Sequence, residues 1–576
     1  MNIFDSLFLY IYLMPSGLYK RLGINIVHLR AILMAKLTMD NRRPAAFQQM
    51  RHSKEKKELN KATLKTMLAS FFMGLLFLFA FGIGHDLTTK LTLFFSMFIF
   101  MLAATLITDF TSVLIDIRDN LIILPKPVND STFLTARLLH IAIHVNKMAL
   151  PMAFPAMIAV ILISGFWTLI PFLFFLLLAT MVSIFLINAV YILILKITTP
   201  SKFQSIISYI QIGFAILIYG GYQLVPRIME NSVMKDISIS SVQYIRFFPP
   251  FWFAEACNSL SCFTFGPNAW ISTGLAVFVP LGSIYLVMKY FAPAFNQKLG
   301  LINSSTVESN KIIKKKQGFN PAYSRIEKLA TMLTKDRREY MGFVFAWKMM
   351  GRSREFKLKV YPAFGYVIVL LAMLLLKSGS QLFSDFADMT SKGKSLFLMI
   401  LYFSSFILIT AIAQLSYSDK SKAGWIFLTA PLVNPGNVIV GAVKAAMIQF
   451  YTPVILIFTI AGTLIVGPGI LPNLLLGCFN VLSICSLIAY FNLRELPFSV
   501  ATSEAAKGRT VIRSMITLII PAAFGFFQWL IFDYLWIVAI FATLSIIATW
   551  MVLGSIRNLG WERLGSYSRN NAQGPN

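Results

Sequence analysis

Between Leu64 and Leu553 the chain repeats one feature. Runs of about twenty residues carry few charges, and each is long enough to cross a hydrocarbon core about 30 Å thick. Twelve such runs are legible: Leu64–Gly84, Leu91–Val113, Met148–Gly165, Leu169–Leu195, Ile206–Leu224, Ala269–Tyr290, Ala363–Leu376, Leu396–Leu415, Val443–Val466, Leu474–Tyr490, Ile512–Ile531 and Leu535–Leu553. With 57% hydrophobic and 13% charged residues the chain is no water-soluble globule, whose apolar share is roughly 45–50%. The expected class is an all-α polytopic membrane protein of about twelve transmembrane helices, with interfacial amphipathic helices beside them.

The net charge of +27 would point to nucleic acid in a soluble domain, but here its placement gives another meaning. With a cytosolic N-terminus, the outward loops hold seven basic residues (such as Lys90, Arg227 and Lys394) against seven acids (such as Asp86, Glu230 and Asp533). The whole excess then falls on the cytosolic side, as the positive-inside rule requires. Anionic inner-leaflet lipid is a sufficient partner for it, and no nucleic acid is expected. The chain is expected in the cell (inner) membrane, multi-pass, with both termini cytosolic.

The expected organisation has five parts. Residues 1–63 form a cytosolic or interfacial N-terminal segment, in which Leu18 to Asp40 mixes basic and apolar residues as an amphipathic helix lying in the interface does. Residues 64–291 form the first six-helix half, 292–360 a basic cytosolic linker with an interfacial helix, 361–554 the second half and 555–576 a cytosolic tail. Val225 to Pro267 is the largest outward segment. Its stretch Phe247-Phe248-Pro249-Pro250-Phe251-Trp252-Phe253 has the composition of an interfacial aromatic belt, and its prolines are expected to bar a regular helix. Met1 to Pro15 lacks the basic lead and small-residue cleavage site of a signal peptide. Of four cysteines, Cys478 and Cys485 are expected to pack within a span, while Cys257 and Cys262 could pair in an oxidising compartment.

Two charged, proline-broken elbows interrupt the apolar pattern at equivalent places. In the first, Asp116, Arg118 and Asp119 lead into Leu121 to Leu124, Pro125 and Pro127 stop the helix, and Asp130 or Ser131 caps the next one. In the second, Asp419, Lys420 and Lys422 precede Leu428, Pro431 and the possible cap Asn434. Each half has the same order: a basic lead-in, two spans, an inward elbow and four more spans. Six spans per half give two parallel repeats, a known transporter plan, with both elbows on one side of the membrane.

This order resembles the permease subunits of type-two ATP-binding-cassette exporters, here duplicated in one chain. The resemblance rests on Arg118-Asp119, Leu121 to Leu124, Pro127, Asp130 and Ala136-Arg137, and again on Lys420, Trp425 to Leu428, Pro431, Asn434 and Gly441 with Lys444. It departs from the pattern at Asn120, and at Ala423-Gly424, where no acid stands. The resemblance implies that the elbows are coupling helices seated in a separate cassette-type ATPase, two ATPase subunits per chain. It implies an exporter that is not itself an enzyme, with ATP and Mg in the partner and no cofactor in this chain. The cargo is unidentified and could be amphipathic.

The remaining motifs are weaker. Gly393-Lys394-Ser395 looks like the end of a phosphate loop, but Asp388 replaces its first glycine and the segment is expected to be an outward turn. His140 and His144 share a helix face at the spacing of two metal ligands, but no acid or cysteine follows at ligand spacing, so no metal site is assigned. No catalytic set is visible. Asn188, Gln211, Gln449 and Asn480 are uncharged polar candidates for lining a substrate path. The alternatives are an ion-coupled secondary transporter, which would carry ionisable residues deep in its spans, and a membrane-embedded enzyme. The acids here are expected at span ends or in loops.

Overall fold

The computed structural model describes residues 3–21, 23–42, 62–113, 127–198, 200–230, 243–264, 266–286, 321–418, 420–430, 432–501 and 511–564. Among them the chain is almost wholly helical, an all-α polytopic membrane protein. Among the described residues nine helices are long and apolar enough to cross a bilayer. A tenth candidate is a helix pair bent by 120°, Pro249–Cys262 with Pro267–Ser283. The chain divides into two compact units: residues 1–49, 54–207 and 221–313 form unit 1, while 50–53, 208–220 and 314–576 form unit 2.

Unit 1 opens with α1 (Ile3–Leu13), α2 (Ser16–Arg21) and α3 (Ile26–Arg42). The single interfacial helix expected over Leu18 to Asp40 is therefore two. Gly23 breaks it at φ +71°, a left-handed conformation that glycine adopts without steric cost, and the Asn25 side chain accepts from the Val27 and His28 amides to start α3. The stripe Leu29, Leu33 and Leu37 recurs every fourth residue and is fully buried against Ala136 and Ile143. This stripe faces protein, while Val27, Met34 and Met39 of the same helix are exposed.

The first expected span is α4 (Ala62–Gly74) followed by a 3₁₀ turn, Leu75–Gly82. A β-carbon at Gly74 would lie 2.0 Å from the Met152 carbonyl oxygen, so this glycine sets how closely the helices approach. Next come α5 (Leu87–Val113), α6 (Asp130–Ser164) and α7 (Leu169–Ile197), then α8 (Pro200–Glu230), whose middle residues 208–220 belong to unit 2. Phenylalanines fill the centre: Phe94 meets Phe77 at 5.6 Å and Phe172 at 5.1 Å, and Phe95 meets Phe253 at 5.6 Å between ring centroids. Lipid is as apolar as these rings, so close packing and ring geometry, about 0.5–1.5 kcal/mol per pair, carry this core rather than water exclusion.

Phe253 comes from α9 (Pro249–Cys262), in the segment expected to resist helix formation. Pro249 and Pro250 occupy its first turn, where a missing amide costs nothing and the fixed φ suits the helix. The prolines start this helix instead of barring it. Cys257 on its buried face and the exposed Cys262 are both free. The helix α10 (Pro267–Leu286) follows, and Ser272 on it donates a hydrogen bond to Glu255 of α9.

Unit 2 contains α11 (Pro321–Leu333), α12 (Arg337–Arg352), α13 (Arg354–Ala387), α14 (Ser391–Phe403) and α15 (Ser405–Gln414). The Gly393-Lys394-Ser395 motif lies in the first turn of α14, not in a free turn. Thr390 accepts from the Gly393 amide, and a β-carbon at Gly393 would come within 1.9 Å of the Asp385 carbonyl oxygen, so close packing explains the glycine. Then come α16 (Ile426–Thr429), α17 (Gly436–Ala446), a π turn at Met447–Tyr451, α18 (Thr452–Ile465), α19 (Leu471–Asn492), α20 (Val511–Ile531) and α21 (Leu535–Arg557). Two short strands, β1 (Tyr417–Ser418) and β2 (Val500–Ala501), pair in parallel.

Here a buried polar network stands beside the aromatic pairs, such as Phe356 with Phe450 at 5.7 Å. The buried Asn480 amide donates to the Tyr402 hydroxyl (2.8 Å), Tyr402 donates to Gln528 Oε1 (2.7 Å), and Ser545 donates to Asn480 Oδ1 (2.5 Å). Gln528 Nε2 completes the chain on the Asn473 carbonyl (2.7 Å). Cys478 and Cys485 are buried in α19.

Candidate functional site

The second elbow is a built knob. After α15 the chain enters β1, held by Phe498 N to Leu415 O (2.9 Å) and Val500 N to Ser416 O (3.0 Å). A 3₁₀ turn over Ser421–Trp425 runs directly into α16, giving a short continuous helical piece. Its inward side is set by Gly424, whose added β-carbon would touch Ser499 at 3.0 Å, and by Phe427, which packs edge-on against Phe345 of α12 at 5.4 Å. Its outward side shows Lys420, Lys422, Trp425 (59% exposed) and Ile426 (56%), with Val433 (70%) beyond. Cations beside exposed large apolar side chains fit a protein partner or the lipid interface alike.

The return leg is clamped by the chain's own C-terminal segment. Trp561 Nε1 donates to the Leu432 carbonyl at 2.7 Å, and the Gly436 amide donates to the Leu559 carbonyl at 3.2 Å. A β-carbon at Gly436 would lie 2.2 Å from the Ile556 carbonyl oxygen, so only glycine lets α17 start so close to the end of α21.

An ion triad centred on a buried acid joins α12, α17 and α21. Glu339 of α12 is fully buried; its Oε1 meets Lys444 Nζ of α17 at 2.5 Å and its Oε2 meets Arg557 Nη2 of α21 at 2.9 Å. Lys444 also donates to the Leu333 carbonyl at 2.8 Å. The crossing of α12 and α17 is made by two glycines. A β-carbon at Gly441 would sit 2.1 Å from the Glu339 carbonyl oxygen, and one at Gly342 would sit 2.3 Å from that of Val438. Small residues at a helix crossing let the two backbones approach this closely.

Unit 1 has a related arrangement on α6. His140 Nε2 and Asp40 Oδ2 of α3 lie 2.7 Å apart, and Lys147 pairs with the fully buried Asp5 of α1. Asn146 donates to the Tyr12 hydroxyl, and Tyr19 donates to the Tyr12 carbonyl at 2.9 Å. Burial pushes the Asp40 carboxyl up, but the hydrogen bond and charge of His140 outweigh it and hold the group below its ordinary value. Burial alone raises the Tyr19 hydroxyl.

The acids Asp5 of α1 and Glu339 of α12 lie outside the nine candidate spans, each in the first turn of its helix. Both are nevertheless buried, which is possible because each is neutralised by a cation from elsewhere in the sequence. The expected caps are corrected. Asn129 caps α6 with Asp130 as its first residue, Pro435 caps α17, and neither cap uses a side chain. Asn434 is exposed and gives only its carbonyl to the Asn437 amide, at 3.3 Å. Pro127 is exposed. Asp116, Arg118, Asp119, Pro125, Asp419 and Pro431 lie outside the described residues.

Of the path candidates, Asn188 donates back to Ile184 of its own helix (2.8 Å), and Asn480 belongs to the buried network of unit 2. Gln211 is half-buried on α8, and Gln449 is half-buried in the π turn. The structure does not draw these four into one constellation. The sequence reading missed Glu339 and Arg557, and the only signal for them was Lys444, which stands on an apolar helix face and so needs an anion. No family model matches this chain, and neither does any curated protein or solved structure.

Proposed function

We propose that the chain is the membrane-spanning permease of an ATP-binding-cassette exporter, with its elbows docking a separate ATPase. The observation that carries this reading is the second elbow: a short helical knob, exposed on its Lys422–Trp425–Ile426 side, braced by a strand pair, an aromatic contact and the C-terminal segment. A solvated connecting loop needs none of these braces. A knob that transmits force needs all of them, since a push on a loosely held element is lost in local motion.

The twelve-span, two-repeat layout belongs to the same proposal. His140 and Lys444 each stand sixteen residues beyond the leucine, Leu124 or Leu428, at which the elbows align. Each reaches an acid on the helix packed beside it, Asp40 or Glu339. The bent pair α9–α10 and the helices α4 and α20 would complete six spans per half. The cytosolic placement of both elbows follows from the charge bias. The cargo is a molecule with substantial apolar surface, moved outward.

Purification of the chain from its native membrane under mild detergent tests the reading. A cassette-type ATPase should come with it, and the chain alone should show no ATP hydrolysis. ATP hydrolysis by the isolated chain, or transport with no such partner, contradicts the proposal.

A further inference from the structure

Unit 2 holds a cavity of about 680 Å³ between α14–α15 on one side and α20 on the other, a size typical of small-molecule sites. Leu398, Phe403, Phe406, Ile409, Pro521 and Trp529 are among its walls. Three hydroxyls border it, and two are already engaged. Tyr402 donates to Gln528 and accepts from Asn480, and Ser395 donates to the Ser391 carbonyl at 2.8 Å. A polar solute entering this space would give up its hydration for little in return, whereas a hydrocarbon chain gives up nothing. Along α14–α15 the lining runs from Ser395 to Ile409, about 21 Å at 1.5 Å per residue, which exceeds a leaflet of about 15 Å.

One end of the cavity is marked by charge. Lys394 adjoins the lining residue Ser395, and Asp533 stands four residues past the lining residue Trp529. Lys394 Nζ reaches the two carboxylate oxygens of Asp533 at 2.6 and 2.7 Å, so the two walls are tied by an ion pair where the cavity ends. The lysine also lies over the Phe532 ring, 5.4 Å from its centroid, while Asp533 stays exposed. An amphiphile carrying a single charge finds one partner and one repulsion here. A zwitterionic headgroup finds two partners, its phosphate at Lys394 and its amine at Asp533.

We infer that this cavity is a binding site for one zwitterionic phospholipid, with an acyl chain between α14–α15 and α20 and the headgroup at the Lys394–Asp533 pair. The site does not depend on ATPase docking and stands or falls separately from it.

The test uses the full chain in lipid nanodiscs containing phosphatidylethanolamine with a photoactivatable diazirine in one acyl chain, placed near the carboxyl end in one probe to reach Leu398 and near the methyl end in a second to reach Ile409. Labelled positions are read by peptide mass spectrometry as the probe fraction rises. Labelling of Leu398 and Ile409, both buried, should saturate, while labelling of the exposed Ile460 and Leu464 on α18 should rise linearly with bulk lipid. Filling the cavity by Ala522→Phe should lower the saturable labelling about tenfold, the equivalent of about two methylenes removed from burial. The charge change Asp533→Lys should shift the preference from the phosphatidylethanolamine probe to an anionic phosphatidylglycerol probe with the same chain. Linear labelling of Leu398 and Ile409 in the wild type, or labelling of them in proportion to exposure, overturns the site without recourse to any variant. Saturable labelling that ignores headgroup charge in both wild type and Asp533→Lys overturns the headgroup assignment.

Discussion

The ion pairs of the two post-elbow helices serve the same end by different means. In unit 1, α6 carries two basic residues, and each meets its own acid: His140 with Asp40 of α3, and Lys147 with Asp5 of α1. In unit 2 one buried acid, Glu339, gathers two cations from two helices, Lys444 of α17 and Arg557 of α21. The first scheme distributes the tie over two N-terminal helices. The second concentrates it at a crossing that only Gly342 and Gly441 permit, and it ties α21 to that crossing. Losing one acid in unit 1 strands one basic partner; losing Glu339 strands two.

The largest effect should therefore come from Glu339→Gln. Breaking a buried pair by removing one partner typically costs about 3–5 kcal/mol, because an uncompensated charge stays behind. Denaturant unfolding in detergent should show a loss of this size or larger, with partial recovery when Lys444→Met is added. Recovery to no degree would show that the tie is not electrostatic.

Next comes Gly441→Ala, whose methyl would press into the α12 backbone. Overpacking of this kind typically costs about 1–3 kcal/mol, and unfolding midpoints of the purified variant measure it. A neutral outcome would mean that α12 and α17 lie farther apart than a crossing that admits only glycine.

Asp40→Asn should cost less than Glu339→Gln, about 1.5–3 kcal/mol for one charged hydrogen bond at a partly exposed group, by the same unfolding assay. Equal losses at the two sites would remove the contrast between the units.

The smallest effect on stability belongs to Lys422→Glu, within about 0.5 kcal/mol as for other exposed substitutions. Its effect should appear in transport. Reversing a charge at a docking face adds repulsion against the partner while insertion and abundance stay unchanged.

What the sequence discloses and what it hides follow one physical line. Among the described residues nine of the twelve expected spans coincide with helices long and apolar enough to cross a bilayer, because a twenty-residue apolar run is a local property and lipid leaves such a segment few options besides a helix. The second knob was legible as a charged, proline-broken interruption, though its braces were not. Strand β2 lies far along the chain, and Trp561 comes from a segment expected to be a polar tail. The helix α9 was misread because Pro249 and Pro250 break a helix from within but begin one from its first turn. Glu339 was hidden because burial and neutralisation depend on Lys444 and Arg557, which lie far from it in sequence. The partner of His140 was hidden in the same way, since Asp40 lies a hundred residues earlier.

The most direct test of the account is cross-linking from the outward face of the second knob. Trp425→Cys, carried in a chain whose four native cysteines are replaced, presents a thiol on the side away from Phe427. With membranes from the native host and a short bifunctional reagent, the account predicts a covalent adduct with a cassette-type ATPase. That adduct should be lost, together with transport, in the added double variant Arg118→Glu, Lys422→Glu. An ATPase adduct and transport that both persist unchanged in the double variant, or no ATPase adduct from Trp425→Cys while transport continues, would contradict the account and return the knob to an ordinary solvated turn.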